Sequence, residues 1–381
     1  MHSKWIFIVI FFILASGMLH YWTWKKLCFY LHLQNKKKTW LTSTFLLFYI
    51  GTPILKTFSS YYMNHWTALF NTIFLTWLGC VFLVACTLLV FEFSRLFSKV
   101  TNLKSSKRRL FLKQSFQYGA LATTAGVSTK GIHNVFREPE IKRVPIKIKS
   151  LPNNFKGFKI IQITDLHIGP TIRKDFVEKV VEIANSLKPD LVALTGDFVD
   201  GQIHELKNDF APLKNLKSKH GSYFITGNHE YYSGADAWIE HIKNLGITVL
   251  RNENIKIKEG DEFIHLAGID DWGAQYVHET HGPNYETAFE GCKGSETTIL
   301  LSHQPKGFHK AVKYNVSLQL SGHTHGGQIW PFNFAVGLFQ PFVRGLHKVK
   351  DSQIYVSCGT GYWGPAMRVG THSEITQIEL T

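Results

Sequence analysis

The chain has 381 residues, too many for one small domain and comfortable for two. Its net charge of +14 would suit nucleic acid. The distribution argues otherwise: residues 1–150 carry 20 Lys/Arg against Glu92, Glu138 and Glu140, a net +17, and the remainder carries 22 basic and 25 acidic groups, a net −3. A near-neutral C-terminal part lacks the basic stripe that a nuclease or other nucleic-acid partner requires.

The N-terminal third reads as a membrane module, residues 1–94. Trp5–Tyr21 and Trp40–Leu55 are apolar runs near the length limit for crossing a bilayer, and Trp66–Phe93 exceeds it, with no charge before Glu92. Trp22, Trp24, Trp40, Tyr61, Tyr62 and Trp66 suit interfacial belts. The first loop holds Lys25, Lys26, Lys36, Lys37 and Lys38, and the second only Lys56. By the positive-inside rule the first and third connections are cytoplasmic.

Residues 95–143 form a basic segment. Arg108-Arg109-Leu110-Phe111-Leu112-Lys113 resembles a twin-arginine export motif, and the weakly apolar Tyr118–Ser128 that follows suits its core. If that segment crosses, the chain is a multi-pass protein of a bacterial inner membrane with its C-terminal domain on the periplasmic side. An ordinary basic flank would leave the domain in the cytoplasm. Residues 130–150 read as a linker into a first strand, Val144–Lys149.

Residues 144–381 alternate strands and helices. Phe158–Thr164 is a short apolar strand with Asp165-Leu-His167 at its end. Phe176–Leu187 has helical periodicity. Leu191–Thr195 is a buried strand ending in Gly196-Asp197, where glycine lets the backbone come close to bound ions. Asp200 follows as a candidate partner for an imidazole. A helix over about His204–Lys217 leads to a strand, Ser222–Thr226, and then to Gly227-Asn228-His229-Glu230. Tyr231 and Tyr232 are candidates for a pocket wall. Thr298–Leu301 ends in Ser302-His303, and Val316–Leu320 in Gly322-His323-Thr324-His325. In a regular strand His323 and His325 share one face. Asp270 and Asp271 read as a strand-end turn. Trp330, Phe332, Phe334, Phe339 and Phe342 read either as an apolar lip for a lipid-linked substrate or as core. Cys292 and Cys358 would be able to pair in an oxidising compartment, although nothing in the spacing demands it.

Each short motif alone is weak. Together they supply carboxylates, an amide oxygen and imidazoles at strand ends, where α/β proteins place their ligands. That donor set suits two divalent metal ions, Mn, Fe, Co or Zn rather than Mg.

The series Asp-x-His, Gly-Asp-x-x-Asp, Gly-Asn-His-Glu, His and Gly-His-x-His resembles the calcineurin-like metallophosphoesterase superfamily over about residues 144–381. The resemblance implies an α/β fold, a four-layer α-β-β-α sandwich of two mixed sheets, here preceded by the all-α transmembrane module. It implies that Asp165, His167 and His325 hold one metal, that Asn228, His303 and His323 hold the other, and that Asp197 bridges them. A metal-bridging hydroxide would be the nucleophile on a phosphate ester, and His229 the general acid oriented by Asp200. Ser357–Arg368 and Gly322–Gln328 resemble a bacterial membrane-anchored or twin-arginine-associated branch. Some members of the wider branch are UDP-2,3-diacylglucosamine pyrophosphatases of lipid A synthesis, an alternative that demands a cytoplasmic domain.

Overall fold

A computed structural model describes the backbone of residues 2–61, 65–100 and 107–381, and the side chains of 10–58, 66–96, 111 and 114–381. The chain divides into two compact units, Met1–His133 with Gly364–Val369, and Asn134–Trp363 with Gly370–Thr381.

The first unit is built of four long helices, α1 (His2–Tyr30), α2 (Asn35–Tyr61), α3 (His65–Val100) and α4 (Lys107–Val135). Among the described residues, two helical stretches are long and apolar enough to cross a membrane, Asn35–Phe58 and Trp66–Leu96. The first apolar run lies in α1 and the weak one in α4. The arginine side chains of the Arg108–Lys113 motif fall outside the described ones, as do Lys99 and Lys104. Several polar groups inside the unit are paired, as an apolar surrounding favours. Glu92 accepts from the Tyr30 hydroxyl at 2.6 Å and pairs with Lys26 at 2.8 Å. Trp77 Nε1 donates to His20 at 3.2 Å.

The second unit contains two six-stranded mixed sheets. The first joins β1 (Glu140–Ile146), β2 (Lys159–Ile163), β3 (Leu191–Leu194), β4 (Ser222–Phe224), β5 (Thr248–Val249) and β12 (Glu374–Leu380) in the order β1-β12-β2-β3-β4-β5. The second joins β6 (Glu253–Glu259), β7 (Glu262–Gly268), β8 (Thr298–Leu301), β9 (Leu318–Ser321), β10 (Gly345–Val349) and β11 (Ser352–Val356) in the order β10-β11-β9-β8-β7-β6. Strands β2 to β5 run parallel, as do β11, β9, β8 and β7, and antiparallel strands flank each set. The parallel strands read as continuous apolar runs because both of their faces are covered.

The sheets meet face to face over Ile160, Leu191 and Ile225 from one side and Leu266, Leu301 and Leu320 from the other, all buried. On the outer face of the second sheet, Leu300 and Ile354 pack against Phe289 and Phe308. Helices α5 (Lys174–Ser186), α6 (Ile203–Phe210) and α8 (Ala235–Asn244) each bury one apolar side, with Val177 and Val180, Leu206 and Phe210, and Trp238 and Ile242 turned inward. The unit is thus an α/β sandwich of two mixed sheets with helices outside them.

Two elements differ from the sequence expectation. The linker before the first strand is shorter, because α4 continues to Val135 and β1 begins at Glu140. Glu140–Arg143 are exposed on an edge strand and all but Ile141 are charged, so only Val144 and Ile146 signal burial. The helix expected to reach Lys217 ends at Phe210 and continues as a 3₁₀ turn, Ala211–Asn215, since Pro212 cannot donate to an α-helical carbonyl.

Leu301 is fully buried between the sheets. Leu301→Ala is expected to cost about 2–5 kcal/mol, read as a lower thermal unfolding midpoint. An unchanged midpoint would mean that this layer is not the core.

Candidate metal centre

The ends of five parallel strands carry the chemistry. β2 leads into Asp165 and His167, β3 into Gly196-Asp197, β4 into Gly227 and α7 (Asn228–Tyr232), β8 into His303, and β9 into Gly322-His323 and His325. The chain leaves strand geometry at these points. Asp165 (φ 53°), His167 (52°), Asp197 (56°), His323 (69°) and His325 (49°) are all left-handed. For residues with a β-carbon this costs about 1–2 kcal/mol each, and such strain survives only where the surroundings over-determine it. His323 and His325 are therefore not on one face of a strand. A left-handed turn at each sends them to different ligand groups.

Hydrogen bonds hold the strained turns. The Asp165 amide donates to the Gly196 carbonyl at 3.0 Å and that of His167 to the Asp197 carbonyl at 3.1 Å. The His323 amide donates to the Asp165 carboxylate at 2.9 and 3.0 Å. Glu230, fully buried, accepts from the amides of Asp197 (2.9 Å), Phe198 (2.7 Å) and Gly227 (2.6 Å). Sequence reasoning gave Glu230 no role. The signal was its place three residues after Gly227, the spacing of a capping box.

Close approach explains the glycines. A β-carbon on Gly227 would overlap Asp197 Oδ1, and one on Gly322 would overlap Asp165 Oδ2 and Thr164 Oγ1. Gly196, at φ 85°, clears the Gly227 backbone and the His303 ring. The missing side chain admits these neighbouring protein atoms.

All nine residues singled out from sequence gather at this rim. Asp165, His167 and His325 offer ligand atoms within 4.8 Å of one another, and so do Asp197, His303 and His323. His167 Nε2 and His325 Nε2 are 3.1 Å apart. Asp197 Oδ2 is 3.0 Å from His303 Nε2 and 4.0 Å from His167 Nε2, which places it between the groups. Asp200 Oδ1 faces two imidazoles, His229 Nδ1 at 2.5 Å and His167 Nδ1 at 3.1 Å. A carboxylate only accepts, so both Nδ1 atoms carry hydrogen and both Nε2 atoms are fixed toward the centre. His303 Nδ1 donates to the Thr195 carbonyl at 2.8 Å with the same result.

The electrostatics ask for cations. Burial pushes the Asp165 carboxyl up. Burial opposes ionisation of Asp197 too, but His303 and His229 overcome it and hold the group well below the usual carboxylate range. Burial disfavours a charged His303, yet Asp197 and Asp165 drive it well above its ordinary value. Burial, aided by His303, lowers His323 to about 3 and leaves a neutral imidazole. His229 is raised to about 9, because Asp197 and Asp200 outweigh its burial. Burial lifts Asp271 to about 6, and the group accepts from Gln304 Nε2 and the Gly273 amide. Asp270 instead pairs with Arg251 at 2.7 Å.

Among the described residues' buried polar atoms that lack a hydrogen-bond partner, Asn228 Oδ1 and His323 Nδ1 belong to this centre, and His303 Nε2 there faces only the Asp197 carboxylate at 3.0 Å. Leaving such atoms bare costs about 1–3 kcal/mol each. An amide oxygen and two imidazole nitrogens beside a carboxylate are a divalent-metal donor set, so the residues fit a metal.

Aromatic rings frame the mouth. Tyr232 and Trp363 stand edge-on to His229 at 5.3 and 5.6 Å. Tyr231 turns away from the centre toward His281. Of the five aromatics after the last motif, Trp330, Phe332, Phe334 and Phe339 are exposed, and Phe342 packs against the core.

The model of the calcineurin-like phosphoesterases matches residues 158–327. An uncharacterized metallophosphoesterase of Helicobacter pylori is 34% identical over 379 residues, 98% of each chain. The chain belongs to the calcineurin-like metallophosphoesterase family. As a metallophosphoesterase it is a metal-dependent phosphoric ester hydrolase. It is also 39% identical over 284 residues to a transmembrane protein with metallophosphoesterase domain from Bos taurus, a match spanning 72% of this chain and 63% of the bovine one. The Danio rerio protein of that name is 35% identical over 326 residues, 83% of this metallophosphoesterase and 74% of the relative.

Two substitutions test the scaffold. Glu230→Gln keeps the size but replaces one acceptor oxygen with a donor against backbone amides. It is expected to cost about 2–3 kcal/mol, seen as a lower melting midpoint and reduced metal content. Gly322→Ala should displace Asp165 and lower metal content by elemental analysis, with secondary structure retained by circular dichroism. Wild-type metal content in Gly322→Ala would sink the close-approach account.

Proposed function

We propose that this metallophosphoesterase is a membrane-tethered hydrolase of phosphate esters, a phosphodiesterase or phosphomonoesterase, that works with two divalent metal ions. The observation that carries the reading is the convergence of the unpartnered Asn228 Oδ1 and His323 Nδ1 with His303 Nε2 and Asp197, beside the Asp165, His167 and His325 group. Asp165, His167 and His325 would hold one ion, Asn228, His303 and His323 the other, and Asp197 both. Bound there, the ions would polarise the phosphoryl oxygens and acidify a water to near-neutral pKa.

The chain's own residues do the remainder. His229 stands with Nε2 4.0 Å from Asp197 Oδ2 and its Nδ1 proton anchored on Asp200. Asp200, accepting the Nδ1 hydrogen, favours the protonated ring that a donor to a leaving oxygen must be. Tyr232 and Trp363 limit its motion and shield the departing group. The exposed Trp330, Phe332, Phe334 and Phe339 support a substrate with an apolar portion, such as a lipid-linked phosphate. Two apolar helices and two relatives named as transmembrane proteins support the tether. The basic loops and the Arg108-Arg109 motif support a multi-pass bacterial inner-membrane protein with its catalytic unit outside the cytoplasm.

His229→Ala is expected to keep its metal and lose about 10²–10⁴-fold in kcat on esters with poor leaving groups, with a smaller loss on nitrophenyl esters. An unchanged kcat on an alkyl ester would reject the acid role. Asp197→Asn should strip metal from the purified protein, and full occupancy by elemental analysis would reject bridging. Reporter enzymes fused to the C-terminus, one active only outside the cytoplasm and one only inside, test the orientation; activity of the inside reporter alone would reject export.

A further inference from the structure

Away from the centre, another set of ligand-type side chains comes together. Asp236, His278 and His281 offer ligand atoms within 4.8 Å of one another. Asp236 lies in the first turn of α8. His278 and His281 lie in the loop after β7, in a turn closed by the His281 amide donating to the His278 carbonyl at 3.1 Å. That turn stacks the two rings, with centroids 3.8 Å apart and planes 26° apart. His278 Nε2 is 3.5 Å from Asp236 Oδ2, and His281 Nε2 is 3.6 Å from Asp236 Oδ1.

These separations are long for an ion-pair triad. A charge-assisted imidazolium–carboxylate bond closes to about 2.7–2.9 Å, and neither contact does. Two protonated rings at this spacing would repel by about 1–4 kcal/mol. A tetrahedral ion with bonds of about 2.0–2.1 Å has edges of about 3.3–3.4 Å between its ligands; the two contacts have about that length, one to each Asp236 oxygen, and the stacked rings would open apart to share one ion. An outer contact agrees. His278 Nδ1 shares a hydrogen bond with Thr280 Oγ1 at 3.1 Å, which ties one ring nitrogen to the loop while Nε2 faces Asp236.

We propose that Asp236, His278 and His281 form a further transition-metal site of the Zn²⁺ class, with three protein ligands and one open position. Two imidazoles with one carboxylate select such ions over Mg²⁺ or Ca²⁺. The ion would clip the loop after β7 to α8. Tyr231 stands edge-on to His281 at 5.6 Å and belongs to α7, the helix that carries Asn228 and His229. The clip therefore braces that helix from the side opposite its chemistry.

The test uses the full chain in detergent, stripped with chelator, equilibrated with micromolar Zn²⁺ and freed of unbound metal. Elemental analysis should give about one zinc fewer per chain in His278→Ala/His281→Ala than in wild type. With Co²⁺ the wild-type-minus-variant difference should show the intense visible absorption of a four-coordinate ion. Asp236→Ala, at an exposed position, guards against misfolding. It should weaken uptake at this site by at least the ~10–100-fold that loss of an outer-shell partner costs. His303→Ala, which disrupts the main centre, should leave this zinc in place, so the two readings fail separately. Equal zinc in wild type and both clip variants, or uptake only at millimolar zinc, overturns the proposal.

Discussion

Clearance between strand-end loops is the constraint on which the site depends. Gly196, Gly227 and Gly322 stand where any β-carbon would strike a ligand carboxylate, a neighbouring backbone or the His303 ring. Because they are bare, the rims of two separate sheets come close enough for Asp165 to cap the amide of His323 from the other sheet. The left-handed turns at five ligand-type residues follow from that crowding. Amides point inward to carboxylates, and side chains are thrown outward toward the shared space.

The same crowding concentrates charge. Asp165, Asp197, Asp271 and Glu230 are buried within the two sheets' common rim, and water cannot screen them. The protein offsets part of this with backbone amides, as at Glu230, and part with imidazoles. The imidazoles are suited to two ends, since a histidine that neutralises a carboxylate in the bare protein also has a nitrogen to offer a cation.

Much of this was legible in the residue order. Apolar runs of four or five residues mark strands buried on both faces, and the polar residue after each run must lie at a strand end. Hence Asp165, Asp197, His303 and His323 are readable without coordinates. What stayed hidden has physical reasons. The charged face of β1 masked its start, because an edge strand need bury only alternate residues. Left-handed turns have no reliable signature outside glycine and asparagine, so strand alternation was the wrong guide for His323 and His325. The positioning role of Glu230 and the aim of Tyr231 depend on contacts made only after folding. The cluster at Asp236 joins residues 42 positions apart in sequence, with no spacing rule to connect them.

One carboxylate oxygen, Asp200 Oδ1, receives a hydrogen from His229 and another from His167. A proton leaving His229 withdraws positive charge from that oxygen and strengthens its hold on His167, making the second ring a better electron donor. On the proposed roles, the proton inventory of the acid and the donor strength of the ligand are thus wired through a single atom. Neither can be adjusted, by selection or by engineering, without moving the other, which favours coordinated change at the three positions over drift at any one.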